Sequence, residues 1–169
     1  TSIYLESVSR PPPPIDQDDL KIMALDVARF GDDSSVLVFR QGNTILEELT
    51  WSKIDTVTLT ENVINWTVMN NPDYIVVDSV GLGAGVFDVL NSKLKSLTKV
   101  IEFNGGFKAT DSIKYSNKRV EAFGRLKDWM KEGGKISKDY KYLTSLRFKL
   151  NNKNQILLES KTALKTRIG

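Results

Sequence analysis

Ile22-Met23-Ala24-Leu25-Asp26-Val27-Ala28, Ser35-Val36-Leu37-Val38-Phe39-Arg40 and Thr44 to Trp51 are three apolar-rich stretches separated by short turns. The first is a nearly continuous apolar run interrupted by one aspartate, the pattern of a strand set inside a sheet. Arg29 to Asp33 follow it with Gly31 and two aspartates, and Gln41-Gly42-Asn43 supply a second tight turn. Strands joined by connections this short pair as an antiparallel meander.

Downstream the pattern changes. Asp55 is placed to cap a helix over Thr56 to Met69, with Leu59, Val63 and Trp66 on one face, and Asn70-Asn71-Pro72 stop it. Tyr74-Ile75-Val76-Val77-Asp78 is too apolar for a half-exposed strand and is read as internal to the sheet. Gly81-Leu82-Gly83-Ala84-Gly85 then turn into a helix that aligns Val86, Leu90 and Leu94, and Lys99 to Phe103 form a fifth strand. Asn104 to Lys114 read as a loop, and Ser116 as the cap of a helix reaching about Met130 and ended by Gly133-Gly134. Asp139 to Arg147 are read as helical, Phe148 to Ser160 as a hairpin turning at Asn151 to Asn154, and Lys161 onward as helical again. The order β-β-β-α-β-α-β-α needs crossover connections after the meander, which predicts a ribonuclease H-like mixed α/β sheet with flanking helices.

The 169 residues are 40% hydrophobic and 27% charged, enough for a core of ordinary domain size. No apolar run approaches the ~20 residues of a membrane span, and no basic-then-apolar signal segment opens the chain. The sequence contains neither cysteine nor histidine. Disulfides, thiolate catalysis, His-ligated metals and the Ser-His-Asp triad are thereby excluded, leaving carboxylates, lysines and hydroxyls. Residues 1–20, with Pro11 to Pro14, read as a proline-rich linker or extension, and 21–169 as the domain. A start at Thr1 reads as the start of an excised piece.

The net charge of +3 hides a division. Residues 1–92 hold 5 Lys and Arg against 14 Asp and Glu, a balance of −9, and residues 93–169 hold 19 against 7, a balance of +12. That division suits a cation-holding site beside a surface that takes a polyanion.

Asp26 and Asp78 carry the chemistry. In the predicted order, the first and fourth strands lie side by side and parallel, so the two carboxylates become neighbours. Carboxylates that close repel one another, and a hard divalent cation between them, Mg²⁺ or Mn²⁺, removes the penalty. Two cations ~3.5–4 Å apart can clamp the attacking water and the leaving oxygen of a phosphodiester.

Here the residues carry a resemblance. Ala24 to Val36, with Asp26 in Leu25-Asp26-Val27, resembles the first nuclease motif of phage terminase large subunits. Val76-Val77-Asp78-Ser79-Val80-Gly81-Leu82-Gly83-Ala84-Gly85-Val86 resembles the second. Tyr115 to Glu121 is similar to the family's downstream helix entry, and Arg147 to Leu150 with Ile156 to Lys161 to its late hairpin. The resemblance runs in order from about residue 22 to the end.

It implies a metal-dependent endonuclease domain that cuts concatemeric double-stranded DNA by a two-metal mechanism, with Asp26 and Asp78 as catalytic metal ligands and Mg²⁺ or Mn²⁺ as cofactor. Asp32 and Glu121 are additional candidate ligands. It also implies an N-terminal packaging ATPase, a portal and a small terminase subunit as partners, no membrane, and the host cell cytoplasm as location. No GxxxxGK[ST] phosphate loop occurs in the chain. The family supplies a further acid in a Ser-Pro-Asp-type segment after the late hairpin. Gly169 precedes any such segment, so the C-terminal end reads as truncated.

Lys108, Lys114, Lys118 and Arg119 crowd the loop and helix entry, and Lys161, Lys165 and Arg167 the end, as expected of phosphate contacts that position duplex DNA without reading it. Two other enzymatic or binding readings are weaker. An actin/hexokinase-like nucleotide-binding lobe needs two lobes, more than this chain supplies. Dinucleotide binding at Gly81-x-Gly83 has Val86 at the third glycine position. The non-enzymatic alternative is a catalytically incomplete DNA-binding or assembly domain of the same fold.

Overall fold

A computed structural model describes residues 2–28 and 33–168. Asp32 lies outside the described residues, as do Arg29 to Gly31 and the side chain of Lys161. The chain forms two compact units, Pro14–Asn104 and Thr1–Pro13 with Gly105–Gly169.

The first unit is built on a five-stranded sheet. Its strands are β1 (Lys21–Asp26), β2 (Ser34–Gln41), β3 (Thr44–Ser52), β4 (Tyr74–Asp78) and β5 (Lys99–Phe103). They lie in the order β3-β2-β1-β4-β5. The meander β1-β2-β3 is antiparallel, whereas β1-β4 and β4-β5 are parallel. This is the ribonuclease H-like mixed sheet that the element order predicts.

Alternation decides which face is dry. Met23, Leu25, Leu37, Phe39, Ile75 and Val77 are buried on one face. Two helices cover them: α2 (Thr56–Asn70) through Leu59 and Val63, and α3 (Gly83–Leu94) through Val86, Leu90 and Leu94. Trp66 of α2 meets Phe39 edge-on, with ring centroids 5.2 Å apart.

Helix α2 starts where Asp55 accepts hydrogen bonds from the Thr58 N–H and hydroxyl, both at 2.8 Å. It ends at Asn71 in the left-handed conformation, φ 51°, whose N–H returns to the Thr67 carbonyl.

In the second unit, α4 (Lys118–Lys131) is the central helix. Its cap is Asn117, not Ser116: the Asn117 side chain accepts from the Val120 N–H at 3.0 Å. A 3₁₀ segment (Lys138–Ser145) stands where the sequence predicts a helix. The late hairpin is β6 (Phe148–Leu150) with β7 (Ile156–Leu158), and α5 (Lys161–Ile168) follows.

The stretch read from sequence as a linker holds a helix, α1 (Ser2–Ser9). Its Tyr4 and Ser7 are buried: the Tyr4 hydroxyl donates to the Lys138 carbonyl at 2.7 Å, and the Ser7 hydroxyl to that of Gly134 at 2.7 Å. Arg10, just past α1, donates to the Met130 and Gly134 carbonyls at 3.0 and 2.9 Å. These partners lie more than a hundred residues away in sequence, and local composition carries no sign of them. Among the described residues no helix is long and apolar enough to cross a membrane.

Candidate metal and nuclease site

Parallel pairing of β1 with β4 sets Leu25 opposite Val77. One residue on, both strands end in an aspartate, Asp26 and Asp78. Leu25 and Val77 are buried under α2 and α3, so by alternation the two aspartates belong to the opposite face, at the carboxyl ends of adjacent central strands. Asp26 is exposed and Asp78 half-buried. The sheet therefore brings together two carboxylates that stand 52 positions apart in sequence.

Each aspartate sits on an anchored stretch of chain. Asp78 is paired with Phe103 on the β5 side, and the Ser79 N–H extends that pairing to the Phe103 carbonyl at 2.9 Å. The Val80 N–H donates to Asp78 Oδ1 at 3.1 Å, which turns the chain sharply after the strand. Gly81 takes φ 68°, and α3 begins two residues later. A Cβ on Gly83 would stand 1.8 Å from the Asp78 carbonyl oxygen, so only glycine lets α3 start this close to the strand end. On the other strand, Asp26 is paired with Val36 of β2. Just past it, the Ala28 N–H donates to the hydroxyl of buried Ser35 at 3.0 Å. Sequence reading misses Ser35 and the specific need for Gly83. The inward phase of β2 is the available sign for Ser35.

Two neighbouring carboxylates suit a hard cation. Mg²⁺ characteristically takes one or two carboxylates and fills its remaining positions with water and substrate phosphate oxygens. Among the described residues no group of three or more Asp or Glu is placed to hold a metal ion.

Glu121 lies in the first turn of α4, in the other unit, and is 4% exposed. Its Oε2 accepts from the Thr110 N–H at 2.8 Å and from Lys118 Nζ at 3.2 Å. Its Oε1 accepts from the Asp111 N–H at 3.3 Å and from Arg125 at 3.4 Å. Burial pushes its pKa up, but the Thr110 N–H, Lys118 and the Asp111 N–H outweigh that and hold it at about 2. This carboxylate ties the 105–117 loop to α4.

Several of the cations predicted to face DNA have intramolecular roles. Arg167 binds both oxygens of Glu159, at 3.2 and 2.6 Å, and also donates to the Ser145 carbonyl. Lys118 is divided between Glu121 and the Thr110 hydroxyl. Arg119 lies over the Phe123 ring, 5.7 Å from its centroid, and Lys114 lies 5.0 Å from that of Tyr115. Lys108 and Lys165 are exposed.

Fold and paired acids together define a ribonuclease H-like domain. Residues 23–136 match the Terminase RNaseH-like domain family, and the chain belongs to that family. Solved structures agree on the fold. The nuclease domain of the large terminase subunit gp2 of bacterial virus Sf6 is 15% identical, with a TM-score of 0.73 over 99% of this chain and 89% of that one. A variant of the same domain with manganese and beta-thujaplicinol is 16% identical, with a TM-score of 0.73 over 89% and 81%. The large terminase nuclease of thermophilic phage G20c with bound magnesium is 13% identical, with a TM-score of 0.58 over 94% and 86%. No curated protein sequence matches the chain significantly.

Proposed function

We propose that this chain is the endonuclease domain of a viral large terminase subunit, hydrolysing phosphodiester bonds of double-stranded, concatemeric DNA by a two-metal mechanism in the host cytoplasm. The observation that carries the reading is the β1-β4 register, which ends two adjacent parallel strands in Asp26 and Asp78. Membership of the terminase family and the manganese- and magnesium-bound relatives of the same fold support it.

In this reading Asp26 and Asp78 hold Mg²⁺ or Mn²⁺, with Asp32 as a further candidate. When bound, the cation supplies a nucleophilic water and neutralises charge developing on the scissile phosphate. The protein's part is to fix the two carboxylates. β2 and Ser35 hold the chain around Asp26, while β5, Val80 and the turn at Gly81 hold Asp78. Glu121, with both oxygens used by four donors, serves the loop. Exposed lysines such as Lys108, Lys114 and Lys165 contact phosphates of the duplex. An N-terminal packaging ATPase, a portal and a small terminase subunit complete the proposed setting.

The test is plasmid cleavage in Mn²⁺ or Mg²⁺ by a polypeptide extended beyond Gly169, compared with its Asp26→Asn and Asp78→Asn variants. A cation stabilising the transition state by several kcal/mol corresponds to losses of about a hundredfold or more in each variant. Cleavage by either variant at the parent rate overturns the site.

A further inference from the structure

The β6-β7 hairpin has an apolar face that its own unit only half covers. Phe148 pairs with Leu158 and Leu150 with Ile156, so the four share one face of the ribbon. Ile156 and Leu158 pack against Ala109, Tyr115 and Val120. Phe148 and Leu150 instead remain 52% and 64% exposed, and nearby Ile113 is 89% exposed. Where the cover stops, a hollow of about 360 Å³ opens, walled by Tyr115, Phe123, Phe148, Leu150 and Ile156. A second hollow of about 230 Å³, beside Ile3, Leu126 and Leu143, shares Phe123, Lys127 and Phe148 with it. The two adjoin at these shared residues, a trough between α4 and the hairpin.

The trough is built in advance of any occupant. The Ile156 N–H donates to the Lys114 carbonyl at 2.8 Å, and the Ser116 N–H to that of Ile156 at 3.1 Å, so the hairpin is fastened to the 105–117 loop. A Cβ on Gly124 would stand 2.4 Å from the Tyr115 hydroxyl oxygen, so the absence of a side chain there seats the ring against α4. Little ordering of such a surface is left for a partner to impose.

Two features specify the occupant. Exposed aliphatic and aromatic groups grouped around a hollow suit the apolar side chains of a protein, whereas a phosphodiester backbone presents anionic oxygens. Lys127 and Lys149 border the trough, beside Asp128. The surrounding unit holds 17 Lys and Arg against 7 Asp and Glu, a balance of +10. We propose that the trough between α4 and the β6-β7 hairpin docks an acidic, amphipathic segment of a partner protein, its apolar side chains in the hollows and its carboxylates on the lysine rim. This site shares no residue with the Asp26-Asp78 pair and does not depend on the nuclease reading.

A random peptide library displayed on phage and panned against the full chain tests it, with selected peptides then synthesised and measured by fluorescence anisotropy. The expected winners combine Asp or Glu with Leu, Phe or Trp. They should bind the Phe148→Ser and Lys127→Glu variants about tenfold or more weakly than the parent. Leu150→Ser, at an exposed position, gives the same reading should Phe148→Ser fail to fold. Winners without that composition, or winners that bind the folded variants as well as the parent, overturn the proposal. So does a labelled single-stranded or duplex oligonucleotide whose binding falls further than peptide binding in these variants, since the trough would then be a nucleic-acid surface.

Discussion

At the scale of single residues, acids of the same type have been given different work by their surroundings. Asp78 gives one oxygen to the Val80 N–H at a strand end, whereas Glu121 has four donors in a buried setting. The consequence for Glu121 is measurable. Its folded pKa of about 2 lies below the ordinary 4.5, so the unfolded chain binds the proton more tightly than the folded one. The resulting stabilisation is complete above the unfolded value and is lost as pH falls from there through about 2. Urea unfolding of the parent and Glu121→Gln should show a wide gap in midpoint at neutral pH that closes on acidification; a gap independent of pH would refute the assignment. Asp26 and Asp78 can be singled out from sequence because an acid ending an apolar run is conspicuous in one dimension. Glu121 cannot be placed that way, because its main partners are backbone N–H groups of a loop without periodicity. Nor is the ion pair of Arg167 visible in sequence: its partner Glu159 lies in the link between β7 and α5.

At the scale of elements, three glycines in one turn have separable roles. Gly83 faces the Asp78 carbonyl oxygen at a distance no Cβ tolerates, and Gly81 has φ 68°. Gly85 has nothing within 4 Å of where a Cβ would stand. Gly83→Ala should therefore force α3 away from the end of β4, lower the melting temperature and weaken, by calorimetry, the Mn²⁺ binding proposed for Asp78. Gly85→Ala should raise stability by roughly 0.5–1 kcal/mol through helix propensity and reduced freedom of the unfolded chain. Reversal of that order would show that the close approach is not what the turn requires. At the other covering helix, Asp55→Ala removes the acceptor for the Thr58 N–H and should lower the midpoint of denaturant unfolding. The strands and these helix starts are legible because alternation, caps and glycine turns are local signals. The 3₁₀ segment and α1 are not. Helix α1 is held by Tyr4, Ser7 and Arg10 reaching residues 130–138, an arrangement that only the folded chain creates.

At the scale of the whole molecule, the charge division follows the structural units more closely than it follows the two halves of the sequence. Pro14–Asn104 carries 7 Lys and Arg against 14 Asp and Glu, a balance of −7, and the remainder carries +10. The unit holding the paired aspartates is thus the acidic one, and a duplex would find its attraction in the other. Not every cation there is available to it. Arg167 and Lys118 are held in ion pairs with Glu159 and Glu121, whereas Lys108 and Lys165 are exposed. Reversing a held cation destabilises the fold by leaving a carboxylate without its partner, so weaker DNA binding in Arg167→Glu would not identify a phosphate-binding residue. Reversing an exposed lysine takes one positive charge from the surface proposed to face the duplex and leaves the fold intact. Each neutralised phosphate adds about −0.9 to the slope of log affinity against log salt for duplex DNA. Lys108→Glu and Lys165→Glu should therefore keep the parent's melting temperature, bind duplex more weakly in low salt, and flatten that slope by about one for each phosphate left without its lysine. Parent-like affinity and slope in both variants would remove these lysines from the DNA-facing surface.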